Sequence, residues 1–216
     1  MQSFLIANPK GGSGKSTLST NLAGWFAQQG HRVMLGDIDR QQSAREWLKL
    51  RRPTLPHIAT WEIEAGKPAR PPKGATHVVL DTPAGLHGKK LANVLKLVQR
   101  VIVPLQPSLF DILATRAFLD TLLEEKAVRR HDTFIAVVGM RVDARTLAAQ
   151  ELERFLGSLG LPVLTTLRDT QNYVQAAAHG LTIFDLPASR AEKDSQQWQP
   201  IFDWIAQPPD QAGGNR

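Results

Sequence analysis

The sequence predicts a doubly wound α/β fold, a mostly parallel sheet flanked by helices on both faces. Two observations carry that expectation. Short apolar runs alternate with stretches of helical period along the whole chain. The clearest of these runs, Val78-Val79-Leu80, is unbroken rather than alternating, as a strand buried on both faces must be.

The elements follow in order. Phe4-Leu5-Ile6-Ala7 reads as the first strand, and a helix over residues 15–29 stops at Gly30. A strand over 32–38 and a short helix over 44–50 come next, then a strand over 57–63. Residues 65–74 are a Pro/Gly/basic loop, and 77–81 a strand. Helices are expected over 89–98, 111–126, 147–159, 172–179 and 196–206, with strands over 101–105, 134–140 and 162–167 between them. Ligands in such folds sit at the carboxyl ends of the strands. Residues 1–206 read as a single domain without internal repeats, and 207–216 as a disordered polar tail.

Composition narrows the function classes. The 216 residues include no cysteine, which removes disulfides, thiolate metal sites and Cys-ligated iron–sulfur clusters. No apolar run is long enough to cross a membrane, and the N-terminus lacks the pattern of a signal peptide, so the expected location is cytoplasmic. The net charge of +6 is uneven: residues 1–108 hold 15 basic and 6 acidic side chains, and residues 109–216 hold 11 and 14. A basic chain of this kind associates with polyanions, of which the DNA backbone is the commonest.

Between the first strand and the first helix stands Asn8-Pro9-Lys10-Gly11-Gly12-Ser13-Gly14-Lys15-Ser16-Thr17. The glycines let the backbone curl so that its N–H groups converge on an anion, and the following helix adds the positive end of its dipole. Lys15 would reach the β- and γ-phosphates of a nucleotide, and Ser16 would bind Mg²⁺. Thr17 would reach the α-phosphate. Pro9 stands where the ordinary phosphate-loop pattern has glycine, and a second lysine, Lys10, precedes the Gly-Gly pair. A chance match to the fixed positions has a probability on the order of 10⁻⁸ per start site.

Lys-Gly-Gly-x-Gly-Lys-[Ser/Thr]-Thr is the deviant Walker A signature, and on residues 10–17 the chain resembles the ParA/MinD family of P-loop ATPases. The resemblance extends from residue 3 to about residue 206. It implies that Lys10 reaches across a homodimer interface to the partner's ATP, so that the nucleotide joins two subunits. It also implies Mg²⁺-dependent ATP hydrolysis, with Lys10, Lys15 and Asp39 as its catalytic residues.

Two acidic stations accompany the loop. Asp37 and Asp39, two residues apart at a strand end, share one face. Beside a phosphate loop their partner would be Mg²⁺ or an attacking water, and the alternative for one of them is to cap the following helix. The resemblance assigns Asp39 to the water and Asp37 to the loop or the metal shell. The family's usual Pro-Gln-Gly is replaced here by Arg40-Gln41-Gln42-Ser43. Asp81, ending an apolar strand, has the Walker B arrangement, in which the carboxylate would hold Mg²⁺ through water; the alternative is a plain strand end. The resemblance places the adenine and ribose near Arg168, Asp169 and Asn172; the alternative is that these are turn and helix-cap residues. The segment 104–111 resembles one at the family's dimer face, with Asp111 expected to cap the helix after it.

The resemblance further implies non-specific DNA binding by the ATP dimer and hydrolysis stimulated by a ParB-like or other cargo adaptor. Candidate phosphate contacts are Arg45/Lys49/Arg51/Arg52, Lys67/Arg70/Lys73, Lys89/Lys90/Lys96/Arg100 and Arg129/Arg130. Membrane binding is the competing outcome. The apolar stripe Trp198, Ile201, Phe202, Trp204 and Ile205 has only acidic neighbours, however, so it reads as a helix packed on the sheet. A metabolic phosphotransferase of dethiobiotin-synthetase or amidating type is the alternative from another class, and no substrate-binding motif for it is found.

Overall fold

The computed structural model describes residues 1–38, 42–62, 73–130 and 132–208. Among these, seven strands form one parallel sheet: β1 (Gln2–Ile6), β2 (Val33–Asp37), β3 (Ile58–Glu62), β4 (His77–Asp81), β5 (Arg100–Leu105), β6 (Phe134–Val142) and β7 (Val163–Arg168). Their order is β3-β2-β4-β1-β5-β6-β7. The chain winds outward on one side of β1, returns across it after β4, and winds outward on the other. The carboxyl end of β1 is therefore the crevice where the two halves diverge.

The helices are α1 (Lys15–Gln28), α2 (Ser43–Leu50), α3 (Gly88–Leu95), α4 (Leu109–Glu124), α5 (Lys126–Arg129), α6 (Leu147–Gly157), α7 (Gln171–Ala177), α8 (Ala188–Gln196) and α9 (Gln199–Ala206), with a 3₁₀ turn at Ile183–Asp185. Alternate side chains of each strand feed two separate cores. Phe4, Ile6, Leu35 and Val79 face one, with Leu18, Leu22 and Phe26 of α1 and Trp198 ahead of α9. Leu5, Ala7, Val78 and Leu80 face the other, beneath Leu91 of α3, Phe118 and Leu122 of α4 and Leu152 of α6. The apolar stripe of α9 packs into the first core, as expected.

Helix α1 is buried nearly all round, including Ser19, Thr20 and Asn21. Their side chains donate to the carbonyls of Lys15, Ser16 and Thr17 in turn, which satisfies these three polar groups within the core. Gly24 admits the 3₁₀ segment: a Cβ there would lie 2.3 Å from Thr182 Cγ2. Asn21 Oδ1 accepts the Ile183 N–H at the same contact.

Five expectations need correction. Helix α4 begins at Leu109 with Ser108 in the cap position, so Asp111 lies within the first turn rather than capping it. Its charge there still faces the positive end of the helix dipole. Helix α8, which was not expected, has too few apolar residues to show a helical period, and α9 starts three residues later than the expected 196. Arg51 and Arg100 are not surface cations. Arg51 pairs with buried Asp185 at 3.0 Å, and Arg100, 3% exposed, donates to the Gln207 carbonyl at 2.6 Å and lies over Trp204. A guanidinium sequestered in this way cannot meet a phosphate backbone. Asp39, most of the 65–74 loop with Lys67 and Arg70, and the tail from 209 lie outside the described residues.

Candidate nucleotide site

The loop leaves β1 at Asn8, which is buried and fully used. Its Nδ2 donates to the Pro104 carbonyl (2.8 Å) and Thr115 Oγ1 (2.9 Å), and its Oδ1 accepts the Lys10 N–H (2.8 Å). Asn8 thus ties the loop to the end of β5 and to α4, and Gln106 adds a hydrogen bond to the Gly12 carbonyl. Asn8 and Gln106 were not singled out from the sequence; a loop-adjacent amide carries no local signal of its distant partners.

Gly12 and Gly14 take φ of 75° and 96°, the left-handed conformations that curl the loop. Gly14 precedes α1 without any side-chain cap, so the first N–H groups of the helix stay directed into the loop. A Cβ on Gly14 would lie 2.8 Å from Met140 Cε, so the end of β6 packs against the loop's exit. Lys15 is 7% exposed. Its ammonium turns back into the loop and donates to the Lys10 carbonyl at 2.7 Å. Ser13 Oγ donates to the same carbonyl at 3.2 Å. The sequence-predicted residues Lys10, Gly11, Gly12, Ser13, Gly14, Lys15, Ser16 and Thr17 are therefore all brought together. Lys10 and Lys15 differ sharply: among the described residues the Lys10 ammonium has no partner.

Asp37 and Asp81 stand side by side in register at the ends of β2 and β4. Asp81 is 1% exposed and accepts from Ser19 Oγ (3.2 Å) and the Thr82 N–H (3.1 Å). Burial pushes its carboxyl up to about 7; the Ser16 hydroxyl opposes the rise, Asp37 adds to it, and Ser19 and Lys15 oppose it. Such a carboxyl regains its charge when a cation arrives. The donors at this corner are oxygens, which suits a hard divalent ion such as Mg²⁺. Among the described residues no three His, Asp or Glu side chains gather into a metal cage. Phosphate oxygens and water would have to complete the shell.

The Asp37 carboxylate accepts the Ala44 N–H at 2.9 Å and the Arg45 N–H at 3.3 Å. It supports α2 from the end of β2, which is the capping alternative. Across the sheet, Arg168 and Asn172 converge on one side chain of α8. Asp194, fully buried, accepts from Arg168 Nε at 2.5 Å and from Asn172 Nδ2 at 2.6 Å. Asp169 is exposed, and Thr170 caps α7.

The segment after β5 presents Leu109, Phe110 and Leu113 to solvent at 65%, 73% and 56% exposure, on the same edge of the molecule as the loop. Exposed large apolar groups gathered on one edge mark a contact surface.

Residues 4–183 match the CobQ/CobB/MinD/ParA nucleotide binding domain. The chain is 30% identical over 207 residues to the maintenance of carboxysome distribution protein A of Gloeobacter kilaueensis, covering 91% of this chain and 90% of that protein. It is 30% identical over 181 residues to the chromosome-partitioning ATPase Soj of Thermus thermophilus, covering 68% and 72%. Its fold resembles the septum site-determining protein MinD of Pyrococcus horikoshii complexed with Mg-ADP, at a TM-score of 0.71 and 14% identity over 95% and 96% of the two chains. A glycine-curled loop with an inturned lysine, a buried carboxyl beside it and the matched domain lead to one conclusion: the chain belongs to the ParA/MinD family of nucleotide-binding domains.

Proposed function

We propose that the chain is a ParA-like positioning ATPase. It binds Mg²⁺-ATP in the 10–17 loop, closes into a homodimer around the nucleotide, and hydrolyses ATP when a cargo adaptor engages it. The observation that carries this reading is the pairing of two unlike lysines on one loop. Lys15 is buried and aimed into its own cradle, whereas Lys10 has no partner among the described residues and lies on an edge that also exposes Leu109, Phe110 and Leu113. A cation placed this way stabilises phosphoryl charge only when a second subunit closes on it.

Within one subunit, backbone N–H groups of residues 11–17 and the Lys15 ammonium would hold the phosphates. Ser16 and Asp81 would hold Mg²⁺, with Asp37 fixing α2 beside them. The metal supplies charge neutralisation on the phosphates when bound. Asp39 would orient the attacking water, and Arg168, Asp169 and Asn172 would frame the base side.

The dimer would bind DNA through phosphate contacts alone, using exposed cations such as Arg52, Lys73, Lys89, Lys90, Lys96, Arg129 and Arg130. A cargo moved by such a dimer is a plasmid, a chromosome region or a large protein assembly. Among the described residues no helix is long and apolar enough to cross a membrane.

Gel filtration of the hydrolysis-blocked Asp39→Ala variant tests the reading. With Mg²⁺-ATP it should elute as a dimer and retain random duplex DNA in a salt-sensitive manner; a monomer at high protein concentration would contradict it.

A further inference from the structure

Arg141, near the end of β6, has an unusual backbone. It takes φ of 53°, one of two positive values among the described non-glycine residues. The β6–β7 ladder loses register between Gly139 and Val142, the bulge that contains it. Bulges bend a strand and re-aim a side chain, and a strained non-glycine residue persists where its surroundings over-determine it, commonly at a ligand site. The surroundings do so here. Gly139 lies so close to β7 that a Cβ would sit 2.8 Å from Thr166 Cγ2. Met140, 3% exposed, is wedged against Gly14 at the exit of the phosphate loop. Arg141 comes next, exposed, and among the described residues its guanidinium has neither a hydrogen bond nor an ion pair.

The sheet order says which part of a nucleotide this residue would meet. The oxygen-rich corner of Asp37 and Asp81 lies on the β4–β2 side of β1. A nucleotide whose metal-binding phosphates face that corner must direct its sugar and base the other way, over the ends of β5, β6 and β7. On that side Arg168 and Asn172 already hold Asp194. Arg141 is the cation left unpaired there among the described residues.

We infer that Arg141 covers the base of the bound nucleotide, its planar guanidinium lying against the purine ring. The inference rests on the nucleotide reading of the loop. Because either purine offers the same ring face, this contact strengthens binding without choosing between adenine and guanine.

Titration calorimetry with Mg²⁺-ADP, Mg²⁺-GDP and inorganic tripolyphosphate tests it. Arg141→Ala should weaken both nucleotides by about 3- to 10-fold and leave tripolyphosphate unchanged. Arg141→Gly should show the same loss together with a higher melting temperature, because glycine relieves the positive φ. A residue kept only for structure would raise stability without touching affinity. Unchanged nucleotide affinity in both variants overturns the inference, and so does an equal loss for tripolyphosphate, which would mark a phosphate contact. If the unaltered protein binds neither nucleotide nor tripolyphosphate, the reading of the loop fails and takes this inference with it.

Discussion

Strand β4 carries a buried ionisable group at each end, His77 where it begins and Asp81 where it finishes. Burial is the leading cause at both. It lowers the His77 imidazole to about 4, helped by His31 and the N-terminal amine, and raises the Asp81 carboxyl to about 7. The two ends differ in company. His77 packs beside two rings, with centroids 4.3 Å from Phe26 and 3.9 Å from His31, and has the Thr76 hydroxyl 3.1 Å from Nδ1, with no carboxylate among these neighbours to reward a proton. Asp81 sits among hydroxyl donors and near the Lys15 ammonium, surroundings that favour the charged form as soon as burial is offset by a cation. Desolvation therefore makes a structural residue at one end and a poised site at the other. What separates them is whether the neighbours can stabilise the charge.

The largest expected effect tests the poised end. Lys15→Ala should lower kcat/KM for ATP by roughly 1000-fold, because the removed cation lies inside the phosphate cradle. Circular dichroism should show the fold intact, since the ammonium's hydrogen bonds to the Lys10 carbonyl and Ser13 Oγ stay within the loop. Retained turnover would mean that the cradle does not hold phosphate. Asp81→Asn should follow, with kcat falling by about 100-fold at saturating Mg²⁺. Its melting temperature should stay level or rise, because an amide of the same shape removes a carboxyl that burial disfavours. A fall of many degrees would make Asp81 a structural residue of the same kind as His77, and the comparison would collapse.

Legibility in the sequence followed the distance between interacting residues. The strand, loop and helix of residues 2–28 are contiguous, so glycine placement and apolar period revealed them together. Asp81 was legible because a strand end is a local feature. Asp194 was not: its partners Arg168 and Asn172 lie 26 and 22 positions away, and a lone aspartate in a polar helix looks solvated. Arg51 and Arg100 misled for the same reason, since only the fold shows Asp185 and Trp204 waiting for them. Arg141 offered no signal at all, because a positive φ in a non-glycine residue is imposed by neighbouring strands rather than by its own side chain. Local chemistry was readable, then, and chemistry assembled across the sheet was not.

The smallest expected effect belongs to the structural end, and its sign follows from linkage. Unfolded, His77 would titrate at its ordinary 6.5; folded, it does so at about 4. Between those values only the unfolded chain takes up the proton, so stability falls as the solution is acidified. The contribution of His77 is present in full above pH 6.5 and is lost as pH falls toward 4. It amounts to no more than about 3 kcal/mol. Asp81 acts in the opposite sense over part of the same range, since its raised value favours the folded state at lower pH. A single pH curve would therefore blend the two ends of the strand, and the difference between two proteins separates them. In His77→Phe a neutral ring replaces the imidazole beside Phe26 and keeps the aromatic packing. Urea unfolding midpoints of the two proteins should diverge as pH is lowered from about 7 to about 4.5, with the variant losing less. Parallel curves would show that protonation of His77 is not opposed by folding, and that burial alone does not govern this end of β4.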